Sequence, residues 1–363
     1  MTPMLTWLST PLGPVSSMNT SIFHALAAAA LFGASTPLAK LLGLDVPPVL
    51  LAGLLYLGSG LGLTLVRLVR DRGWKNVGLT PSEWPWLLGA IMFGGVLGPV
   101  ALMFGLTTTS GATASLMLNL EAVLTALLAW VVFKESADRR IVWGMIAIIA
   151  GGVVLAWPHE SLQAHDWLGP LAVGAACLCW AIDNNLTRKV SASDALFLAG
   201  FKGLVAGLVN CSLAVLLGAR LPDALVLGQT LALGFLGYGV SLVLFVLALR
   251  GLGSARTGAY FSTAPFLGAA IAILLLGEPV SGAFWVAAVL MGVGVWLHLT
   301  ERHGHEHQHV PMTHAHRHVH DEHHQHEHAF EWKGTGPHSH VHDHAQVRHS
   351  HPHFPDIHHR HTH

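Results

Sequence analysis

Charge is what this sequence has least of. Only 11% of its 363 residues are Asp, Glu, Lys or Arg, under half of the roughly 25% usual in soluble domains. Histidine is nearly missing before residue 303, where only His24, His159, His165 and His298 occur. The formal net charge is −1, so the basic excess that binds nucleic acid is absent. Cysteine is limited to Cys177, Cys179 and Cys211, all in apolar segments. Cys177 and Cys179 would stand about 200° apart on a helix, poor geometry for sharing one metal, and all three read as small buried hydrophobes. The first 20 residues hold no Lys or Arg, so the basic n-region of a signal peptide is missing. The first apolar helix is expected to act as an uncleaved targeting signal. No nucleophile, base and cofactor constellation stands out, which argues against an enzyme and against any required cofactor.

What is present is apolar sequence, at 52% hydrophobic and a mean hydropathy of +0.52. A hydrocarbon core of about 30 Å needs about 20 apolar residues as helix. Ten such runs occur, at 20–42, 48–69, 84–106, 111–133, 140–157, 167–188, 194–218, 225–249, 254–276 and 281–300. They predict an all-α, multi-pass membrane protein whose first partner is the lipid bilayer. The loops after even-numbered runs carry Arg67, Arg70, Arg72, Lys75, Lys134, Arg139, Arg140, Arg188, Lys189, Arg250 and Arg256; those after odd-numbered runs carry only Lys40 and Arg220. By the positive-inside rule both termini are then expected in the cytoplasm, and the inner (plasma) membrane is the expected location.

The chain also repeats itself. A shift of 143 residues lays "GATASLMLNLEAVLTALLAWVVFKE" (111–135) over "SARTGAYFSTAPFLGAAIAILLLGE" (254–278) and matches Glu135 to Glu278 and Gly151 to Gly294. Each copy is a full run, a Glu at its end, then a closing run. Five runs per half is an odd number, so the second half enters the membrane from the opposite side: an inverted repeat, the construction that allows alternating access about a midplane site. The expected organisation is an N-terminal segment (1–19), two five-helix repeats (20–157 and 166–300) and a low-complexity tail (301–363).

"LNLEAVLTALLAWVVFKES" (118–136) and "FSTAPFLGAAIAILLLGEPVS" (261–281) resemble the EamA family of the drug/metabolite transporter superfamily, in which an apolar helix, often with a proline, ends in Gly-Glu. The first copy departs from that pattern, with Lys134-Glu135 for Gly277-Glu278 and Ala122 where the second has Pro265. The resemblance spans about 20–300. It implies a ten-helix export carrier with a central cavity for amino acids, other metabolites or toxic organic compounds, and it names no substrate motif.

Three ionisable residues fall inside the runs: Glu121, Asp183 and Lys202. Each costs about 2.5–3.5 kcal/mol at a helix centre, so Glu121 and Lys202 need partners or water. Reflection about the turn near Ser191 brings Asp183 level with Lys202, and an ion pair there is expected. Such a pair either locks helices or lines a cavity, with Glu121 carrying a proton or cation and Lys202 taking a substrate carboxylate. Asn119 and Asn184 complete the candidate pathway for a small-molecule substrate. Asn184 and Asn185 stand about 100° apart, so one of them is expected to face any given cavity. Glu135 and Glu278 are expected in structural roles at opposite membrane faces. Gly58, Gly60 and Gly62, with Gly234, Gly237 and Gly239, predict close helix packing.

The tail differs from everything before it: 23 of the 27 histidines lie in 303–363. Imidazole suits Ni, Zn, Co and Cu, and the candidate ligands are His303, His305, His307, His309, His314, His316, His318, His320, His323, His324, His326 and His328. The tail is expected to be disordered and able to chelate either as an extended chain or as a helix. A pH-responsive solvated tail is the rival reading. The membrane part shows no His or acidic pair one turn apart, so organic-solute export with a metal-binding tail ranks above metal export, and metal storage or sensing ranks last. A homodimer stays open.

Overall fold

In a bilayer every backbone polar group must be satisfied within the protein, which leaves apolar segments of this length one economical form, the helix. The computed structural model describes residues 14–73, 79–133, 139–157, 167–190 and 193–300, and four short tail segments within 304–352. The helices are α1 (Pro14–Leu42), α2 (Pro48–Asp71), α3 (Trp84–Ala90), α4 (Gly98–Thr108), α5 (Gly111–Met117), α6 (Asn119–Phe133), α7 (Arg139–Ala156), α8 (Leu168–Thr187), α9 (Ala195–Leu216), α10 (Ala224–Leu233), α11 (Ser241–Phe261), α12 (Ala264–Leu276) and α13 (Gly282–Leu299). Among the described residues seven helical stretches of at least 18 residues are apolar enough to cross a membrane, and Ala264–Leu276 and Gly282–His298 are shorter apolar helices. Their outer faces present Leu216, Leu274 and Leu275 at 84%, 79% and 77% exposure, far more apolar surface than a soluble protein tolerates.

The repeat is visible in the backbone. The π-helical segments Ile91–Leu97, between α3 and α4, and Gly234–Val240, between α10 and α11, coincide under the 143-residue shift. Counterpart helices of the two halves pack against each other, α2 on α9 and α7 on α13. They do so antiparallel. Along α2, the neighbours of Gly53, Gly60 and the stretch at Thr64 are Cys211, Gly203 and Gly200 in turn, so one number rises as the other falls. Gly60 and Gly203, a matched pair, meet at the crossing: a Cβ on Gly203 would lie 2.6 Å from the Gly60 nitrogen. Matched Gly151 and Gly294 serve the α7–α13 crossing against Met291 and Ile148.

Two expected boundaries move. The run 111–133 is two helices, broken at Leu118, and beside the break the Leu116 carbonyl accepts from Asn119 Nδ2 at 2.9 Å. The matching break, at Ser262–Thr263, precedes Pro265, which has no amide to donate; there Thr263 Oγ1 donates to the Tyr260 carbonyl at 2.6 Å. The expected turn at 250–253 is helical by backbone and lies inside α11. The chain nonetheless folds back between Phe245 and Phe261. The rings of Phe245 and Phe261 are 4.8 Å apart, whereas 16 residues of straight helix would separate them by about 24 Å.

The tail is not simply irregular. Strands β1 (Gly304–Gln308), β2 (Met312–His318), β3 (His338–His344) and β4 (Arg348–Pro352) form two antiparallel pairs, β1 with β4 and β2 with β3. The register sets His305 opposite His351, His307 opposite His349, His314 opposite His342, His316 opposite His340 and His318 opposite His338. A period of two is the strand period, and alternate histidine supplies it.

Candidate functional site

The polar residues of the membrane core gather on α6, α8 and α9, beside the first π segment. Asp183 and Lys202 form an ion pair, with side chains 7% and 17% exposed. Helices α8 and α9 both pack on the first π segment, and the pair bridges them there, as the sequence leads one to expect. The second Asp183 oxygen accepts from Thr187 Oγ1 at 2.9 Å. Room for this carboxylate is made by glycine: a Cβ on Gly94 would collide with Asp183 Oδ2, and one on Gly95 would lie 3.7 Å from Lys202 Cγ.

Glu121 stands one helix away. Its Oε1 accepts from Asn184 Nδ2 at 2.8 Å, and the same amide reaches Thr125 Oγ1 at 3.4 Å. Among the described residues no basic group comes within ion-pairing distance of Glu121. Because Asp183 and Asn184 are adjacent, one turn of α8 holds both the neutralised pair and the unpaired acid. The sequence turns Asn185 away from Asn184, yet Asn185 also reaches Thr125, through the carbonyl at 3.3 Å, while bonding the Ala181 carbonyl at 2.8 Å. A backbone carbonyl and a hydroxyl on different sides of Thr125 reconcile the roughly 100° between the two amides. Asn119 is separate from this group: it is buried against the Leu116 carbonyl and 3.8 Å from Met291 Sδ.

Pattern reading missed the residues that the π segment recruits. A π turn widens the helix and frees backbone carbonyls. The Gly94 carbonyl accepts from Tyr56 OH at 2.6 Å and from Trp180 Nε1 at 3.0 Å, and the Gly95 carbonyl accepts from Asn210 Nδ2 at 3.2 Å. Tyr56 then meets Tyr238 at 5.4 Å between ring centroids, and Phe32 lies 6.1 Å beyond Tyr238. The scarcity of tyrosine, three in the chain, was the available signal, because a mid-span hydroxyl needs a partner. The site thus holds one carboxylate without an ion-pair partner among the described residues, one ion pair and aromatic rings contributed by both halves.

A second ionic group closes one end of α2 on α9. Arg67 Nε and Arg70 Nη2 lie 3.1 Å and 2.6 Å from Asp194 Oδ2, and the Arg67 guanidinium sits 5.3 Å from the Phe197 ring. Burial works against the Asp194 charge, but hydrogen bonds from Arg70 and Arg67 outweigh it and hold the carboxyl below the usual carboxylate range.

The cysteines are free; Cys177 is buried and directs Sγ to the Met117 carbonyl at 3.6 Å. Among the described residues no three His, Cys, Asp or Glu side chains are placed to hold a metal ion. Of the tail candidates, His305, His307, His314, His316 and His318 fall on strands, while His303, His309, His320, His323, His324, His326 and His328 lie outside the described residues, as does Glu135.

A helical bundle of two antiparallel repeats with a polar site at their crossing is the architecture of a membrane carrier. Residues 19–157 and 167–300 each match the EamA-like transporter family, and the chain belongs to that family: it is a multi-pass membrane protein of a transporter family. It is similar to an uncharacterised transporter of Methanothermobacter thermautotrophicus, 26% identical over 78% of this chain and 85% of that one. It is also similar to the uncharacterised inner membrane transporter YedA of Escherichia coli K12, 23% identical over 73% of this chain and 86% of that one. A shorter match, 38% identical, covers 30% of this chain and 93% of a probable 4-amino-4-deoxy-L-arabinose-phosphoundecaprenol flippase subunit, ArnE, of Pseudomonas aeruginosa. One crystal structure shares the fold, with a TM-score of 0.58 over 78% of this chain and 96% of the other at 21% identity.

Proposed function

We propose that the protein is a secondary transporter of the inner membrane that exports a small organic metabolite, amino acid-like or drug-like, by alternating access. The observation that carries this reading is the cluster of Glu121, Asn184 and the Asp183–Lys202 pair where the two antiparallel halves meet. In it Glu121 carries the coupling proton or cation: held by one amide and no cation, it can exchange a proton without breaking an ion pair. Lys202 trades Asp183 for an anionic group of the substrate, and the π-segment carbonyls and the rings of Tyr56 and Tyr238 border the path. Asn119 contributes to the break beside the path rather than to contact with substrate. Seven long spans, two shorter apolar helices and α8, whose end carries Asp183, Asn184 and Asn185, support a count of ten. Loop charge supports cytoplasmic termini.

The histidine tail binds Ni, Zn, Co or Cu in the cytoplasm as an accessory. A transition-metal exporter fed by the tail is the second reading, favoured by the density of imidazole at one end of the chain.

The test is uptake into proteoliposomes with a panel of amino acids, cationic and anionic drugs, a lipid-linked amino sugar and divalent Ni, Co, Zn and Cu. Organic solutes are expected to move. Glu121→Gln is expected to abolish that movement while the purified protein keeps its melting behaviour, and Lys202→Met to abolish it at a cost of about 3–5 kcal/mol in stability, because Asp183 is left without its partner. Undiminished transport by both variants would sink the site, and movement of metal ions alone would favour the second reading.

A further inference from the structure

At the end of the bundle where α1 finishes, two charged side chains grip one turn of backbone from both sides. The turn joins α4 to α5. Lys40 Nζ, in the last turn of α1, donates to the carbonyls of Leu106 and Thr109 at 3.1 and 2.5 Å. Those carbonyls close α4. The first two amides of α5, on Gly111 and Ala112, donate to Glu278 Oε1 and Oε2 at 3.0 and 2.8 Å. The third amide, on Thr113, is taken by Ser110 Oγ at 3.0 Å. A cation thus sits on the carbonyl end of one helix and an anion on the amide end of the next, each matched to the local dipole.

These bonds differ in what they join. Lys40 and the turn both belong to the first half, whereas Glu278 belongs to the second. Its carboxylate is aimed by Gly277, which ends α12 at φ 65°, a left-handed conformation that costs glycine nothing. The fit is close: a Cβ on Gly111 would lie 3.1 Å from Glu278 Oε1 and 3.4 Å from Pro37 Cα. Just behind the turn, α5 and α12 cross at Ser115, 1% exposed, against Gly268; its Oγ has no partner among the described residues.

We infer that Glu278 is the latch of this end of the transport path: its paired bonds to Gly111 and Ala112 hold the halves shut here, and Lys40 positions the turn that receives them. The inference rests on the alternating-access reading, because only a carrier that opens at alternate ends must break contacts between its halves at one end. The bonding partners are backbone amides, which carry no formal charge, so the charge of this contact resides on the Glu278 carboxylate and Glu278→Gln removes it. Charge-assisted hydrogen bonds of this kind are among the stronger single contacts, and losing one shifts a two-state equilibrium by about tenfold or more.

The test places a reporter thiol by Ser115→Cys in a full chain whose own cysteines are replaced, Cys177→Ala, Cys179→Ala and Cys211→Ala, reconstituted in vesicles and treated with a membrane-impermeant maleimide. A second reporter, Ala199→Cys, sits at a buried position of α9 beside Leu63 and Leu196, at the end of the bundle that carries the Arg67–Asp194 contact, and reads general loosening. Glu278→Gln is expected to raise the labelling rate of the α5 reporter by about tenfold while leaving the α9 reporter unchanged. Lys40→Met is expected to do so more weakly, and Glu278→Asp, which keeps the charge, less than Glu278→Gln. Unchanged labelling of the α5 reporter in Glu278→Gln, or an equal rise at both reporters, overturns the latch. Labelling that responds as expected in a protein that moves no solute supports the latch and removes the carrier reading; solute movement with unresponsive labelling does the reverse.

Discussion

Asp183 and Lys202 cancel each other's charge, and that leaves Glu121 as the acid without a counter-ion among the described residues. The distinction decides which residue can change state cheaply. A buried pair broken by removal of one partner costs about 3–5 kcal/mol, because the other charge is left uncompensated. The pair also depends on a residue with no side chain at all. Gly94 is required not by its φ but by the space its missing Cβ leaves for the Asp183 carboxylate. Gly94→Ala is therefore expected to displace Asp183 from Lys202, to cost about 1–3 kcal/mol of stability through overpacking, and to abolish solute uptake. Thermal melting and the proteoliposome assay check both parts. Full transport in Gly94→Ala would show that the pair is dispensable. The pairing of Asp183 with Lys202 was legible from the distance of each to the Ser191 turn. The Glu121–Asn184 bond was not, since residues 63 apart in sequence meet only once α6 is known to pack on α8.

Among the elements, the crossing of α2 on α9 governs how the halves fit. Gly60 and Gly203 face each other there, so that the backbones rather than the side chains are in contact, the arrangement by which small residues let membrane helices approach. Gly60→Ala and Gly203→Ala are each expected to force the helices apart at a cost of about 1–3 kcal/mol. The double variant should cost clearly less than the sum, because both act on one contact. Gly174→Ala, where an added Cβ meets nothing within 4 Å, should change the melting temperature little. Additive losses in the double variant would place the two glycines in independent contacts. Hydropathy located these helices and read 111–133 as one span, which Gly111–Val132 is by length and composition, but it did not show the break inside it. The break at Leu118 carries no proline, and its local sign is Asn119, whose side-chain amide bonds the Leu116 carbonyl beside it. The two π segments left no mark either, since an extra residue in a helical turn changes hydrogen-bond register without changing composition.

At the scale of the whole molecule, the histidines concentrate after residue 302, outside the membrane bundle. The polar site, the Glu278 contact and the helix crossings all lie between residues 20 and 300. Deletion of 301–363 is expected to leave insertion and solute uptake intact and to remove most Ni and Zn binding, measured by titration calorimetry on purified full-length and shortened protein. Loss of all solute uptake on deletion would make the tail part of the transport path.

Composition, run length, loop charge and the 143-residue shift by themselves determined that this chain is a membrane bundle of two related halves, because burial in lipid leaves an apolar segment few alternatives to a helix. Only the tertiary structure decided what the halves do to each other. The antiparallel meeting of Gly60 with Gly203, the grip of Glu278 on Gly111 and Ala112, and the joining of Glu121 to the Asp183–Lys202 pair through α8 depend on which helix faces touch. Apolar faces that pack against protein and those that pack against lipid are written in the same residues, and so that choice is not recorded along the chain.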